Sequence, residues 1–179
     1  MTSANDDLKA LVRTIADFPK PGIQFRDITT LLLDGDGFAD MVERLADSLV
    51  ERPDLIAAIE ARGFVIGAAL AARLGCGLLL IRKDGKLPGE TIAEDYALEY
   101  GSDRLIMHVD ACAPGAHVLL TDDLIATGGT ALAAARLVRR AGGVVTQARF
   151  VIDLPDLGGA EALRAEGIAV ESLMQFAGV

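Results

Sequence analysis

The chain has 179 residues, a length that suits one domain with its own core, since domains commonly run ~100 to 200 residues. Hydrophobic residues make up 51% of it but are interrupted by charges, and no apolar run approaches the ~18 to 20 residues of a membrane span. The net charge of −9 argues against a general nucleic-acid surface, which needs a basic face, but leaves room for a phosphorylated small molecule held by local cations.

Residues 1–7 have neither a basic start nor an apolar centre, so no secretory signal is expected and the expected location is cytoplasmic. Residues 6–16 place Leu8, Leu11, Val12 and Ile15 at three- and four-residue spacing, which predicts an amphipathic helix with acids at its front. Two prolines and a glycine within residues 18–27 exclude helix and predict an extended or turning segment. A second helix is predicted over 36–52, burying Phe38, Met41, Leu45 and Leu49. From there the rhythm is strand, loop, helix. Strands are predicted at 55–59, 78–81 (buried), from Val118 to the acid pair at 122–123, at 144–153 and at 168–173, with helices ending near Leu74 and Ala141 and another at 158–166. Residues 91–100 and 104–109 alternate apolar and polar side chains around Gly101-Ser102-Asp103, the pattern of an exposed antiparallel hairpin or lid. Alternating strands and helices imply an α/β fold with a mostly parallel sheet and right-handed crossovers.

The stretch from Val118 to Ala131 concentrates the chemistry. An apolar run ends in Asp122-Asp123, and Ala126-Thr127-Gly128-Gly129-Thr130 then leads into a helix. The acids sit at the carboxyl end of a strand, where open α/β sheets bind ligands. The glycines let the main chain approach an anion, while the following amides, the Thr127 and Thr130 hydroxyls and the helix dipole supply donors and positive potential. Carboxylates repel phosphate, so Asp122 and Asp123 face sugar hydroxyls or a hard cation such as Mg²⁺. The spacing matches neither the mononucleotide P-loop nor the Rossmann fingerprint.

Three further segments are candidates. Glu60-Ala61-Arg62-Gly63 is an ordinary strand-to-helix turn or a pyrophosphate cradle, since the planar fork of an arginine suits phosphate oxygens. Arg82-Lys83-Asp84-Gly85-Lys86 is a solvated turn, or a cation cluster that neutralises a leaving pyrophosphate. Glu99, near the hairpin turn, is by spacing alone a surface charge. Cys76 and Cys112 lack metal-ligand neighbours and read as small buried residues, and His108 and His117 as strand or turn residues.

The acid pair and Ala-Thr-Gly-Gly-Thr turn closely resemble the phosphoribosyl pyrophosphate (PRPP) motif of the type I phosphoribosyltransferases. Phe18-Pro19-x-Pro21-Gly22-x-x-Phe25-Arg26-Asp27-Ile28, Ala61-Arg62-Gly63-Phe64, Arg82-Lys83-x-Gly85-Lys86-Leu87-Pro88 and Leu98-Glu99-Tyr100-Gly101 occur with it in the order of the adenine phosphoribosyltransferases. The resemblance runs from about residue 8 to the end, with Thr121 a minor departure from the usual aliphatic residue.

It implies a type I phosphoribosyltransferase fold over 1–179: a mostly parallel twisted sheet flanked by helices, a small amino-terminal hood over about 1–35 and a mobile hairpin lid over about 91–109. It also implies transfer of 5-phosphoribosyl from PRPP to adenine, giving AMP and pyrophosphate, in purine salvage. Mg²⁺ would be carried with PRPP rather than by a dedicated protein site. By position, Ala126, Thr127, Gly128, Gly129 and Thr130 would bind the 5-phosphate and Asp122 and Asp123 the ribose hydroxyls. Arg62, Lys83 and Lys86 would bind pyrophosphate, with Arg82 a candidate to reach into a neighbouring subunit of a homodimer. Gln24, Phe25 and Arg26 would line the adenine pocket, Glu99 would be the acid/base, and the Glu60-Ala61 peptide would be cis. A phosphoribosyltransferase for another purine base, or a non-catalytic PRPP sensor, are the alternatives; neither membrane nor nucleic acid is an expected partner.

Overall fold

The computed structural model describes residues 5–97 and 102–178. A seven-stranded sheet runs in the order β5-β6-β4-β3-β7-β8-β9, built from Leu55–Ile59 (β3), Gly77–Lys83 (β4), Thr91–Ala97 (β5), Ser102–His108 (β6), His117–Ile125 (β7), Val144–Asp153 (β8) and Ala169–Gln175 (β9). The five strands from β4 to β9 pair in parallel, and β6 is antiparallel to both β4 and β5. The chain leaves β3 to one side for β4 and returns on the other side as β7. This reversal makes the carboxyl ends of β3 and β7 a topological switch point, where a crevice forms.

Central strands are buried on both faces, so their side chains divide between two cores. Ala57, Leu79, Leu105 and Leu120 pack with Ala134, Leu137 and Leu163 of α5 (Gly129–Arg140) and α6 (Gly159–Ala165). Ile56 and Leu119 pack on the other face with Met41, Leu45, Ile66 and Leu70 of α3 (Gly35–Asp47) and α4 (Gly63–Leu74). Replacing such a side chain by Ala costs ~2–5 kcal/mol. The Asp34 carboxylate caps α3 by accepting from the Gly37 N–H at 2.8 Å. Gly67 lets α4 lie on the sheet, because a Cβ there would fall 2.5 Å from that of Ala58.

Several predicted elements change. The helix predicted over 6–16 stops early: α1 covers Asp6–Ala10, and Arg13–Ala16 forms a strand, β1, paired antiparallel with Gln24–Asp27 (β2). Thr14 and Ile15 are β-branched and suit a strand, and Arg13 is tied across the ribbon to Asp27. The second helix forms as α3, which ends at Asp47 rather than Arg52, and an unpredicted short helix, α2 (Thr29–Leu33), precedes it. The strand over 78–81 is buried on one face only: Leu79 and Ile81 are covered, while Leu78 and Leu80 are 38% and 39% exposed. The hairpin forms, but its second strand is no loose flap, since Leu105, Ile106 and Met107 are buried.

Candidate active site

Burial of the acid pair dominates the crevice. Asp122 and Asp123 lie near the carboxyl end of β7, which continues to the buried Ile125, and the Asp123 N–H donates to Asp122 Oδ1 at 2.8 Å. Burial first, and the neighbouring carboxylate second, push the Asp122 pKa well above the usual carboxylate range. Burial also raises Asp123, with the Arg62 charge working the other way. Arg62 Nε lies 2.7 Å from Asp123 Oδ2 as an ion pair, without an aligned hydrogen bond to that buried oxygen. Gly63 makes the approach possible, because a Cβ there would come within 2.7 Å of Asp122 Oδ1.

Behind the acids, Gly128 adopts φ +83° and starts α5 at the wall of the crevice. The first-turn amides of a helix have no partner within it and are available to an anion. The turn is braced by α6. The Gly159 N–H donates to the Ala126 carbonyl at 2.9 Å, and a Cβ on Gly159 would strike that carbonyl and the Gly128 nitrogen.

The opposite wall belongs to β4 and the hairpin. Lys83 Nζ lies 3.0 Å from Asp103 Oδ2, and the Tyr96 hydroxyl donates to the same oxygen at 3.1 Å. The ammonium of Lys83 holds the Asp103 carboxyl below its ordinary value, and Asp103 in turn raises Lys83. Glu60, Ala61, Arg62, Lys83, Tyr96, Asp103 and the segment 122–131 together enclose a cavity of about 440 Å³. The Glu60–Ala61 peptide at its edge is cis, as the resemblance implies. Among the described residues no group of three or more His, Cys, Asp or Glu side chains could hold a metal.

A model of the phosphoribosyl transferase domain matches residues 29–153. An adenine phosphoribosyltransferase of Sphingopyxis alaskensis is 60% identical over 173 residues, covering 96% of this chain and 94% of that protein. The chain belongs to the adenine phosphoribosyltransferase family. The crystal structure of the family member from Thermoanaerobacter pseudethanolicus matches it with a TM-score of 0.92 at 48% identity, covering 96% of this chain and 99% of that one. The Saccharomyces cerevisiae member, solved with adenine and an imino-altritol bisphosphate, matches with a TM-score of 0.88 at 34% identity over 94% of this chain and 97% of that one.

The cavity brings together Arg62, Lys83, Asp122, Asp123 and residues 126–130 of the family motifs. Others stand apart from it. Arg82 pairs with Glu60 at 3.1 Å and donates to the Lys86 carbonyl at 2.8 Å, and the cavity wall includes neither Arg82 nor Lys86. Gln24, Phe25 and Arg26 lie on β2; the Phe25 ring stacks 5.0 Å from the Arg62 guanidinium and meets Phe18 edge-on at 5.2 Å. The Arg26 side chain turns to Thr14 and to the Phe176 ring. Glu99 lies outside the described residues. Sequence reasoning missed Tyr96, Asp103 and Gly159 as site residues; the Gly158-Gly159 doublet before a helix was the only available signal.

Proposed function

We propose that the chain transfers the 5-phosphoribosyl group of PRPP to adenine, releasing pyrophosphate and forming AMP, a purine-salvage reaction. The observation that carries this reading is the shared cavity of a buried acid pair, a glycine-braced helix start and two cations. Adenine in the yeast relative, and 9-deazaadenine in the Giardia lamblia relative at 31% identity over 98% of this chain, support the choice of base.

The residues divide the work. Residues 126–130 hold the 5-phosphate with main-chain amides and the Thr127 and Thr130 hydroxyls, while Asp122 and Asp123 hold the ribose hydroxyls. Arg62 and Lys83, with Lys86 and Arg82 from the same loop, stabilise charge on the departing pyrophosphate, and Gln24, Phe25 and Arg26 face the base. As pyrophosphate leaves, the ribosyl carbon becomes oxocarbenium-like, so holding the nucleophile in line and neutralising the leaving group lower the barrier. Glu99 handles the ring proton of the purine. The oxygen donors of the acid pair suit Mg²⁺ that would arrive on PRPP, since hard cations prefer carboxylate and phosphate oxygens. When bound, the ion adds positive charge at the leaving group.

The reading extends to a homodimer. Leu78 and Leu80 of β4, the strand that also carries Arg82, and Val65 of α4 leave exposed apolar side chains, and a second copy covering them would bring Arg82 to a shared site. Among the described residues no helix is long and apolar enough to cross a membrane, and a cytoplasmic location is part of the proposal.

The test is AMP formation from adenine and PRPP with and without Mg²⁺, in competition with hypoxanthine, guanine and xanthine. Metal-dependent AMP synthesis that only adenine supports is expected. Preference for another base moves the assignment within the phosphoribosyltransferases, and binding of PRPP without turnover makes the chain a sensor.

A further inference from the structure

The pleat puts three side chains of the hairpin wall on one face of the sheet. Tyr96 and Asp103 are directly opposed across β5 and β6, and Lys83 is opposed to Leu105, two residues beyond Asp103 on the same face. Tyr96, Asp103 and Lys83 all line the cavity, while Leu105 joins the core beneath. The Asp103 carboxylate is held by three donors. Its Oδ1 accepts from the Arg104 N–H at 2.9 Å, and its Oδ2 accepts from Tyr96 at 3.1 Å and faces Lys83 at 3.0 Å. A fixed anion therefore stands in the wall against which a phosphate group would bind, and the cation on offer there is already paired.

We propose that Asp103 is a positioning residue that holds Lys83 at the cavity wall and cancels its charge, so that pyrophosphate must draw the ammonium away from a carboxylate. The inference rests on the phosphoribosyltransferase reading and adds to it the residue that limits how tightly the leaving group is held. The pair is partly exposed, with 56% of the Lys83 and 25% of the Asp103 side chain accessible, so the ammonium can change partners without crossing a dry interior. Pyrophosphate then binds less tightly than it would to a free Lys83 and leaves more readily.

The alternative role for Asp103, a simple brace that aims Lys83, predicts the opposite sign, which makes the proposal testable. Binding of inorganic pyrophosphate with Mg²⁺ is measured by calorimetry on the full-length protein and its variants. Asp103→Asn is expected to tighten pyrophosphate binding roughly fivefold, the upper scale of a partly exposed charge pair, and to lower the KM for PRPP without raising kcat. Asp103→Glu, which restores the charge, should return both constants to within about threefold of the parent. Asp103→Ser repeats the test should the Asn variant fold poorly, and thermal melting reports folding for each. Binding that is unchanged or weaker in the neutral variants overturns the proposal. AMP synthesis by the unmodified chain tests the functional reading separately: an active enzyme whose Asp103→Asn variant binds pyrophosphate no more tightly defeats this inference alone.

Discussion

The wall formed by β7 and the start of α5 takes its shape from the main chain, whereas the wall formed by β4 and the hairpin takes it from ion pairs between side chains. On the first, Thr121 is fully buried and donates to the Arg149 carbonyl of β8 at 2.9 Å, and Gly63, Gly128 and Gly159 bring backbone against backbone. Nothing there can shift without disturbing the sheet. On the second, Lys83–Asp103, Arg82–Glu60, Arg104–Asp95 and Arg140–Glu94 are partly exposed pairs between 2.6 and 3.1 Å. Such pairs contribute ~0–1 kcal/mol each and can exchange partners. On the proposed function, the sugar phosphate would bind at the rigid wall and the leaving group at the adaptable one.

Substitutions on the adaptable wall should therefore cost turnover, and those on the rigid wall stability or substrate affinity. The largest expected effect belongs to Glu99, in the connection between β5 and β6. Glu99→Gln should lower kcat ~10²- to 10⁴-fold, the usual worth of general acid/base catalysis, with PRPP binding little changed. Undiminished turnover would remove Glu99 from the mechanism.

Next comes the acid pair, which should separate function from stability. Asp122→Asn should raise the KM for PRPP roughly tenfold, the value of a hydrogen bond to a ribose hydroxyl. The same change should stabilise the fold near neutral pH. Because the folded state raises the Asp122 pKa above its ordinary 3.8, the native protein retains a proton that the unfolded chain releases, and wild-type stability is lost as pH rises above that value. The variant has no such loss. Its melting temperature should exceed that of wild type at about pH 7 and converge with it near pH 4, and a constant difference across that range would contradict the assigned cause.

Smaller again is Gly159→Ala, whose Cβ strikes the Ala126 carbonyl and approaches the Gly128 nitrogen within 2.6 Å. It should destabilise by ~1–3 kcal/mol in denaturant melts and raise the KM for PRPP severalfold, as overpacking displaces the phosphate turn. Unchanged stability would mean that the turn is less firmly braced than the contact implies.

The same contrast decides what could be read from the sequence. Asp122, Asp123 and residues 126–130 lie in one short stretch, so one apolar run and one glycine-rich turn state most of the rigid wall, and β3 and β8 fall at the predicted residues 55–59 and 144–153. The adaptable wall is made by pairings between distant residues. Lys83 and Asp103 belong to different strands, and nothing local marks either as the partner of the other. The amino-terminal misreading has the same origin. Leu8, Leu11, Val12 and Ile15 fit a helical period, but Arg13 finds Asp27 fourteen residues later, and that pairing makes a strand of residues 13–16. Gly159 supports a turn from which it is separated by the whole of α5 and β8.

That amino-terminal pairing gives the mildest test, because it joins the two styles in one buried carboxylate. Asp27 is 5% exposed; it is paired with Arg13 and also accepts from the Thr29 N–H at 2.9 Å and the Thr29 hydroxyl at 2.8 Å. The Arg13 guanidinium, followed by these Thr29 donors, lowers its pKa to about 2 against the penalty of burial. A depressed carboxylate contributes stability that is present above the ordinary value of 3.8 and is lost as pH falls through about 2. Asp27→Asn should thus melt below wild type at neutral pH, with the gap closing between about pH 4 and pH 2. Since β2 carries Gln24, Phe25 and Arg26, the variant should raise the KM for adenine by no more than about threefold and leave that for PRPP unchanged, because the rigid wall shares no hydrogen bond with Asp27 among the described residues. A rise in the KM for PRPP instead would show that the base side and the phosphate side are mechanically coupled, and the division between the two walls would then have to be redrawn to include the amino-terminal ribbon.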